Sequence, residues 1–369
     1  MERFLKEFVQ KDLENKMVFI GGPRQVGKTT FAMDLAPPGH RYLNWDISSD
    51  RKFILNEFFP AEDFIVYDEI HKFHQWRNYL KGLYDKYKNE KKILATGSAR
   101  LDYYRHSGDS LQGRYHYYRL HPFTVKELQL KSSGDIQDLL NLGGFPEPFL
   151  SGQEQHAKRW RREYHSRIIY DDISVLELSQ NLSKMEQLLL RLPRLVSAPL
   201  SLNSLREDLQ VAHKTVAKWL DIFERMYFIY RISPYQSNQL RAVKKEQKHY
   251  HFNWAEVADR GARFENLIAG HLMKWAHFQQ DHYGENIDLH YFRDTDKREV
   301  DFVVTHDGKV VRAVECKLVF KEISPALKYF QKKFPETECV QVHLKSDNEF
   351  ITKEGIKALG WRTFLEDYI

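Results

Sequence analysis

Residues Gly22-Pro23-Arg24-Gln25-Val26-Gly27-Lys28-Thr29-Thr30 have the types and spacing to hold a phosphate chain. Glycines let backbone N–H groups turn inwards around an anion, and a helix N-terminus adds partial positive charge. Lys28 can neutralise the outer phosphates of a nucleoside triphosphate, and the Thr29 hydroxyl can ligate Mg2+. The pattern G-x-x-x-x-G-K-S/T carries this meaning between a strand and a helix. Met17-Val18-Phe19-Ile20-Gly21 is an apolar run of strand length, and Phe31-Ala32-Met33-Asp34-Leu35 reads as helix. Gly22, Gln25, Val26, Gly27, Lys28, Thr29 and Thr30 are therefore the expected nucleotide contacts, with a nucleoside triphosphate and Mg2+ as the implied ligands.

Such a loop needs a carboxylate for the metal. Phe64-Ile65-Val66-Tyr67 is a second buried-strand candidate and ends in Asp68-Glu69. Asp68 is expected to support Mg2+, and Glu69 to polarise the attacking water. A third strand, Lys92-Ile93-Leu94-Ala95-Thr96-Gly97-Ser98, should place its polar end beside Asp68 at the carboxyl edge of a parallel sheet. Ser98 is the first candidate for sensing the terminal phosphate, with Thr96 second. Arg114, in Leu111-Gln112-Gly113-Arg114-Tyr115, is a candidate for stabilising transferring phosphoryl charge, within one subunit or across two, and Arg100 is its rival.

A second set of chemistry-bearing residues lies near the C-terminus. Residues 263–280 have helical periodicity and carry Glu265 near the start. Ile287–Phe292 and Glu299–Val304 alternate as strands. Asp307-Gly308 is a hairpin turn leading into Val310–Lys317. A period of two points Glu315 and Lys317 to one face and Cys316 to the other, with Asp301 on the neighbouring strand. Two carboxylates and a lysine so placed can hold Mg2+ and activate a water. Cys316 reads as a packed strand residue.

Between these sets, Ser201-Leu202-Asn203 offers a start for the helix 204–209. Gln210–His213 is a turn, and Lys214–Phe223 is a second helix with apolar residues at 216, 219, 220 and 223. Tyr227–Ile232 then reads as a wing strand. Helix, turn, helix and strand pair make a winged helix-turn-helix, whose second helix would project Lys214, Thr215 and Lys218. Those types suit phosphate contact better than base reading.

These elements must be carried by a chain of 369 residues with 42% hydrophobic and 14% aromatic residues. That composition excludes a disordered or collagen-like chain and supplies several cores. There is no apolar stretch long enough to span a membrane and no apolar signal-peptide centre at the N-terminus, so no membrane association and a cytoplasmic location are expected. Two cysteines cannot build a disulfide framework. The net charge of +5 is uneven: residues 1–125 carry +4, 126–260 carry +3 and 261–369 carry −2, while 187–250 alone hold 11 basic against 5 acidic groups. The excess in the middle admits nucleic-acid contact without requiring it. Three domains are expected, at 1–125, 126–250 and 251–369.

GGPRQVGKTT, IVYDEIHK, ILATGSAR, LQGRY and the following Tyr118-Arg119-Leu120-His121-Pro122-Phe123 resemble, in order, one family of bacterial and archaeal ATPases. These join an AAA+-type P-loop domain to a C-terminal domain of unknown function. The resemblance implies an α/β parallel-sheet ATPase that binds and hydrolyses ATP. The D-x13-E-x-K spacing of Asp301, Glu315 and Lys317, with Glu265 ahead of it, is similar to the PD-(D/E)xK nuclease fold, although Val300 stands where that motif has proline. It implies a restriction-endonuclease-like α/β end. Two functions follow: a DNA-directed ATPase with a nuclease-like domain, or an ATP-gated protein-interaction switch or scaffold in which that domain is silent. Either admits an oligomer.

Overall fold

A computed structural model describes residues 2–97, 111–173, 181–235, 246–345 and 349–367. They divide into two compact units. The first comprises residues up to His121 together with Arg225–Tyr227 and Asp281–Tyr283, and the second the remainder.

The first unit is built on five strands: β1 Met17–Gly21, β2 Arg41–Asn44, β3 Phe64–Asp68, β4 Lys92–Thr96 and β5 Tyr115–Arg119. All pair in parallel, in the order β2-β3-β4-β1-β5. β1 and β3 are buried along their whole length, as strands covered on both faces must be. Their period of two sorts the core. Met17, Phe19, Ile65, Tyr67, Ile93 and Ala95 share one face with Trp76, Leu80 and Leu83 of the helix Trp76–Tyr87. Parallel pairing puts the ends of β1, β3 and β4 at one edge. There β1 runs into the glycine loop and the helix Lys28–Leu35, and Asp68 stands opposite Thr96 in register.

The second unit opens with helices, among them Leu182–Arg191, Leu202–Leu209 and His213–Arg225. The Ser201 hydroxyl accepts from Ser204 N and caps the second of these, and Gln210, with φ 51°, closes it. Pro193 lies just past the first, in a 3-10 turn, where a proline ends the helix. The strand pair β6 Ile229–Pro234 and β7 Lys248–His251 follows, antiparallel. Then come the 19-residue helix Arg260–Phe278, capped by Asp259, and strands β8 Ile287–Arg293, β9 Glu299–His306, β10 Lys309–Val319, β11 Glu338–Lys345, β12 Phe350–Ile351 and β13 Lys357–Gly360. Asp307 and Gly308, with φ 50° and 75°, turn β9 into β10, the left-handed pair that matches strand twist.

All eight strands form one sheet in the order β12-β13-β11-β10-β9-β8-β6-β7, with β6 parallel to β8 through Ser233–His290 and Pro234–Tyr291. The domain boundary expected at residue 250 thus cuts through β7. The expected wing strands are one end of the C-terminal sheet, a pairing between distant segments that local periodicity does not carry.

Candidate functional site

The loop after β1 is shaped by what a side chain would strike. A Cβ at Gly21 would lie 1.6 Å from the Tyr117 hydroxyl, and one at Gly22, whose φ is 135°, 2.3 Å from Leu120 O. The loop therefore passes β5 as bare backbone. Gln25 has φ 60°, and Gly27, with φ 96°, starts the helix at Lys28. Arg3 is buried and donates from Nη2 to Val26 O at 2.6 Å and from Nη1 to His121 O at 3.0 Å, which braces the loop from outside. No expectation from sequence included Arg3. Its side-chain role has no local signature.

Lys28 is 7% exposed and donates to Gly22 O at 3.1 Å and Pro23 O at 2.6 Å. A cation is thus held inside the ring of loop backbone with loop carbonyls as hydrogen-bond acceptors, which suits an anion arriving there. Thr29 Oγ1 donates to Asp68 Oδ2 at 2.7 Å, so the hydroxyl and carboxylate expected around Mg2+ already meet. Tyr42 OH donates to the same oxygen at 2.8 Å, and Thr96 Oγ1 to Oδ1. Asp68 is buried and accepts three hydroxyl protons, a donor set that a hard cation and its waters can replace. The residues present fit Mg2+-nucleotide. Tyr42, on β2, is a further site residue that sequence reasoning missed, because a tyrosine in Arg41–Asn44 reads as a strand residue.

Glu69 sits in the left-handed region at φ 56°, a strained position for glutamate. Its carboxylate lies 3.2 Å from Lys72 Nζ and 3.7 Å from His71 Nε2. Burial raises its pKa above the ordinary carboxylate value, against the opposing pull of Lys72 and Lys28. Thr30 is exposed. Ser98 and Arg100 lie outside the described residues, and Thr96 serves Asp68. Arg114 corrects an expectation. It precedes β5, at the amino edge of the sheet opposite the loop, and donates to Asp85 from Nε at 2.7 Å and Nη2 at 3.1 Å. Parallel β5 carries it away from the phosphate end, so it does not reach the loop of its own chain.

The second constellation assembles in the second unit. Tyr250 OH donates to Glu265 Oε1 at 2.7 Å. Cys316 N donates to Asp301 Oδ2 at 2.8 Å, and Lys317 Nζ to Glu315 Oε1 at 2.6 Å. Glu315 is 4% exposed, and its Oε2 has no hydrogen-bond partner. The structure adds Lys248, fully buried, with Nζ 2.6 Å from Glu299 Oε1 and 3.6 Å from Glu265 Oε1. Burial, with Asp301 nearby, pushes Glu265 up to about 8 and Glu315 up to about 7. Burial also raises Asp301, with Lys248 opposing. For Lys248 burial acts downwards, and Glu265, Asp301 and Glu299 outweigh it. Among the described residues no group of three or more His, Cys, Asp or Glu side chains is placed to hold a metal ion. Lys214 and Lys218, one turn apart on the helix His213–Arg225, are exposed, and Thr215 between them is half-buried.

Residues 14–129 match the model of an AAA domain. That stretch holds the P-loop and all five strands of the first unit. Residues 133–255 and 260–364 match two domains of unknown function, DUF8612 and DUF4143. The chain is 23% identical, over 91% of its length and 84% of the relative's, to the uncharacterized protein MJ1544 of Methanocaldococcus jannaschii. An uncharacterized protein of Haemophilus influenzae is 21% identical over 84% of each chain. Among solved structures, it resembles ORC1 of Aeropyrum pernix in complex with DNA (12% identity, 73% of this chain and 93% of that one, TM-score 0.35). It also resembles RuvB of Thermotoga maritima (18%, 62% and 88%, TM-score 0.27). No helix among the described residues is long and apolar enough to cross a membrane.

Proposed function

We propose that the protein is a Mg2+-dependent ATPase. The observation that carries this reading is the 2.7 Å contact of Thr29 Oγ1 with Asp68 beside a lysine held inside a glycine loop. Lys28 leaves the carbonyls of Gly22 and Pro23 for the outer phosphates, with backbone N–H groups of Gln25, Val26 and Gly27 around them. Thr29 and Asp68 would hold Mg2+, which supplies charge neutralisation at the transferring phosphoryl group. Glu69 turns from Lys72 to accept a proton from the attacking water; its raised pKa makes it a stronger base than an ordinary carboxylate. Thr96 keeps Asp68 in place, and Ser98 remains the candidate sensor. The test is turnover. Glu69→Gln should keep nucleotide binding and lose hydrolysis, whereas a variant that hydrolyses at the parental rate contradicts the role.

The same reading couples turnover to DNA. Helices Leu202–Leu209 and His213–Arg225 with β6 and β7 make a winged helix-turn-helix, and exposed Lys214 and Lys218 with Thr215 face a phosphate backbone. DNA should then raise turnover at low salt, and Lys214→Ala with Lys218→Ala should remove that stimulation. A second reading, an ATP-gated protein-interaction switch whose nuclease-like domain is silent, is favoured by Lys248 among the carboxylates. It predicts no Mg2+-dependent cleavage of DNA, and Asp301→Ala without effect on turnover.

A further inference from the structure

Among the described residues β5 ends the five-stranded sheet, so its outer N–H groups meet no strand. An edge amide taken out of water needs another acceptor. Asp281 supplies it. Its Oδ2 accepts from Arg119 N at 3.1 Å and from Arg119 Nε at 2.9 Å, and its Oδ1 accepts from Nη2 at 2.8 Å. The Asp281 side chain is 1% exposed and that of Arg119 13%. One buried carboxylate thus fixes main chain and guanidinium together. Beside it, Tyr118 OH donates to Asp12 Oδ2 at 2.6 Å and lies 2.7 Å from His282 Nδ1. Asp281 and His282 belong to the π-helical turn Gln279–Tyr283, and Asp281–Tyr283 fold with the first unit although the chain on either side belongs to the second.

What Asp281 fixes is the backbone that the glycine loop rests on. Arg119 is in register with Gly21, the residue ahead of the loop, and Leu120 N donates to Gly21 O at 2.9 Å. Leu120 O is the atom that a Cβ at Gly22 would strike. His121 O accepts from Arg3, whose other terminal nitrogen holds Val26 O. Gly21, Gly22 and Val26 are therefore referenced to the consecutive residues Arg119, Leu120 and His121, and Asp281 holds the first of these. An edge strand paired on one side only needs such a tie to keep its end still. We propose that Asp281 is a positioning residue for the glycine loop: acting through Arg119, it sets where Leu120 and His121 stand and so keeps the loop in the shape that receives phosphate. The inference rests on the nucleotide-site reading for what the loop receives, and its first readout uses no nucleotide.

That readout is amide hydrogen exchange of the nucleotide-free full chain. Asp281→Asn keeps the shape of the side chain and removes its charge. Exchange of the loop amides from Gly22 to Thr29 should quicken about tenfold, the loss of one charge-assisted contact, while β3, three strands away, keeps the parental rate. The second readout is titration with Mg2+ and ATP. Asp281→Asn should bind about tenfold more weakly, with the single-turnover rate at saturating ATP within about twofold of the parent. Parental loop exchange in folded Asp281→Asn overturns the proposal. So does equal quickening in the loop and β3, which marks a loosened unit rather than a misplaced loop. Should Asp281→Asn fail to fold, Arg119→Met decides by the same two rates: a quickened loop beside an unchanged β3 supports the proposal, and any other pattern overturns it. A parent that binds no nucleotide defeats the ATPase reading, while the exchange rates still decide the role of Asp281.

Discussion

Two buried lysines define the two regions of this molecule, and they are held in opposite ways. Lys28 donates to the neutral carbonyls of Gly22 and Pro23, bonds that an incoming anion can replace. Lys248 lies among Glu265, Glu299 and Asp301, so its charge is already spent within the fold. Asp68 is likewise satisfied by three hydroxyls, which a metal and its waters can displace, whereas Glu299 is paired with an ammonium that covalent attachment keeps in place. The difference teaches that similar residue types make an open site or a closed one according to whether the counter-charge is dipole or ion.

The comparison is broken or sharpened by four measurements. The largest effect is expected at Glu69. Glu69→Gln should lower the single-turnover rate of ATP hydrolysis by roughly 100-fold or more, at the scale of general-base catalysis. A loss below about threefold would place the base elsewhere.

Next is the contrast between the lysines. Lys248→Met leaves buried carboxylates uncompensated and should destabilise the second unit by about 3–5 kcal/mol in urea denaturation. Lys28→Met loses bonds to neutral loop carbonyls and should cost about 1 kcal/mol or less. Equal losses would erase the distinction.

Acid should act on the second unit. Burial, with His251 adding to it, depresses His249 to about 3, and burial depresses His251 and His271 to about 4. The unfolded chain binds protons at these histidines near pH 6.5, before the folded chain does, so their contribution is complete above pH 6.5 and falls as pH drops towards 4. Between pH 7 and 5 each should remove about 1–2 kcal/mol. A melting temperature of the second unit that is flat over this interval would contradict the buried, neutral assignment.

The smallest effect is expected at Arg114. Its pairing with Asp85 at the amino edge predicts that Arg114→Ala changes turnover by less than about threefold. Collapse of turnover, dependent on protein concentration, would instead show the arginine acting on a neighbouring chain.

Much of the first region was legible because its chemistry is local. Met17–Gly21, the glycine loop and Phe64–Glu69 each carry their meaning within ten residues, and β3 and β4 pair as expected, with Asp68 opposite Thr96. What was not legible depends on register and burial. Arg114 has the right residue type, but its edge of the sheet follows from β5 pairing with β1 from Met17–Tyr115 onwards. Lys248 lies in Lys-Lys-Glu-Gln-Lys-His-Tyr-His, which reads as a charged surface until β6 is found paired with β8. The convergence of Asp301 with Glu315 and Lys317 followed from strand period, whereas Tyr250 and Glu299 joined them through tertiary packing.

The central claim, that the glycine–lysine loop receives a nucleotide with Mg2+, is tested most directly by calorimetric titration of ATP into the full chain with and without Mg2+. The account predicts saturable, Mg2+-strengthened binding that weakens at least about tenfold in Lys28→Ala, the loss of one charge-assisted contact. Unchanged affinity in that variant, or no binding by the parent protein, would contradict it.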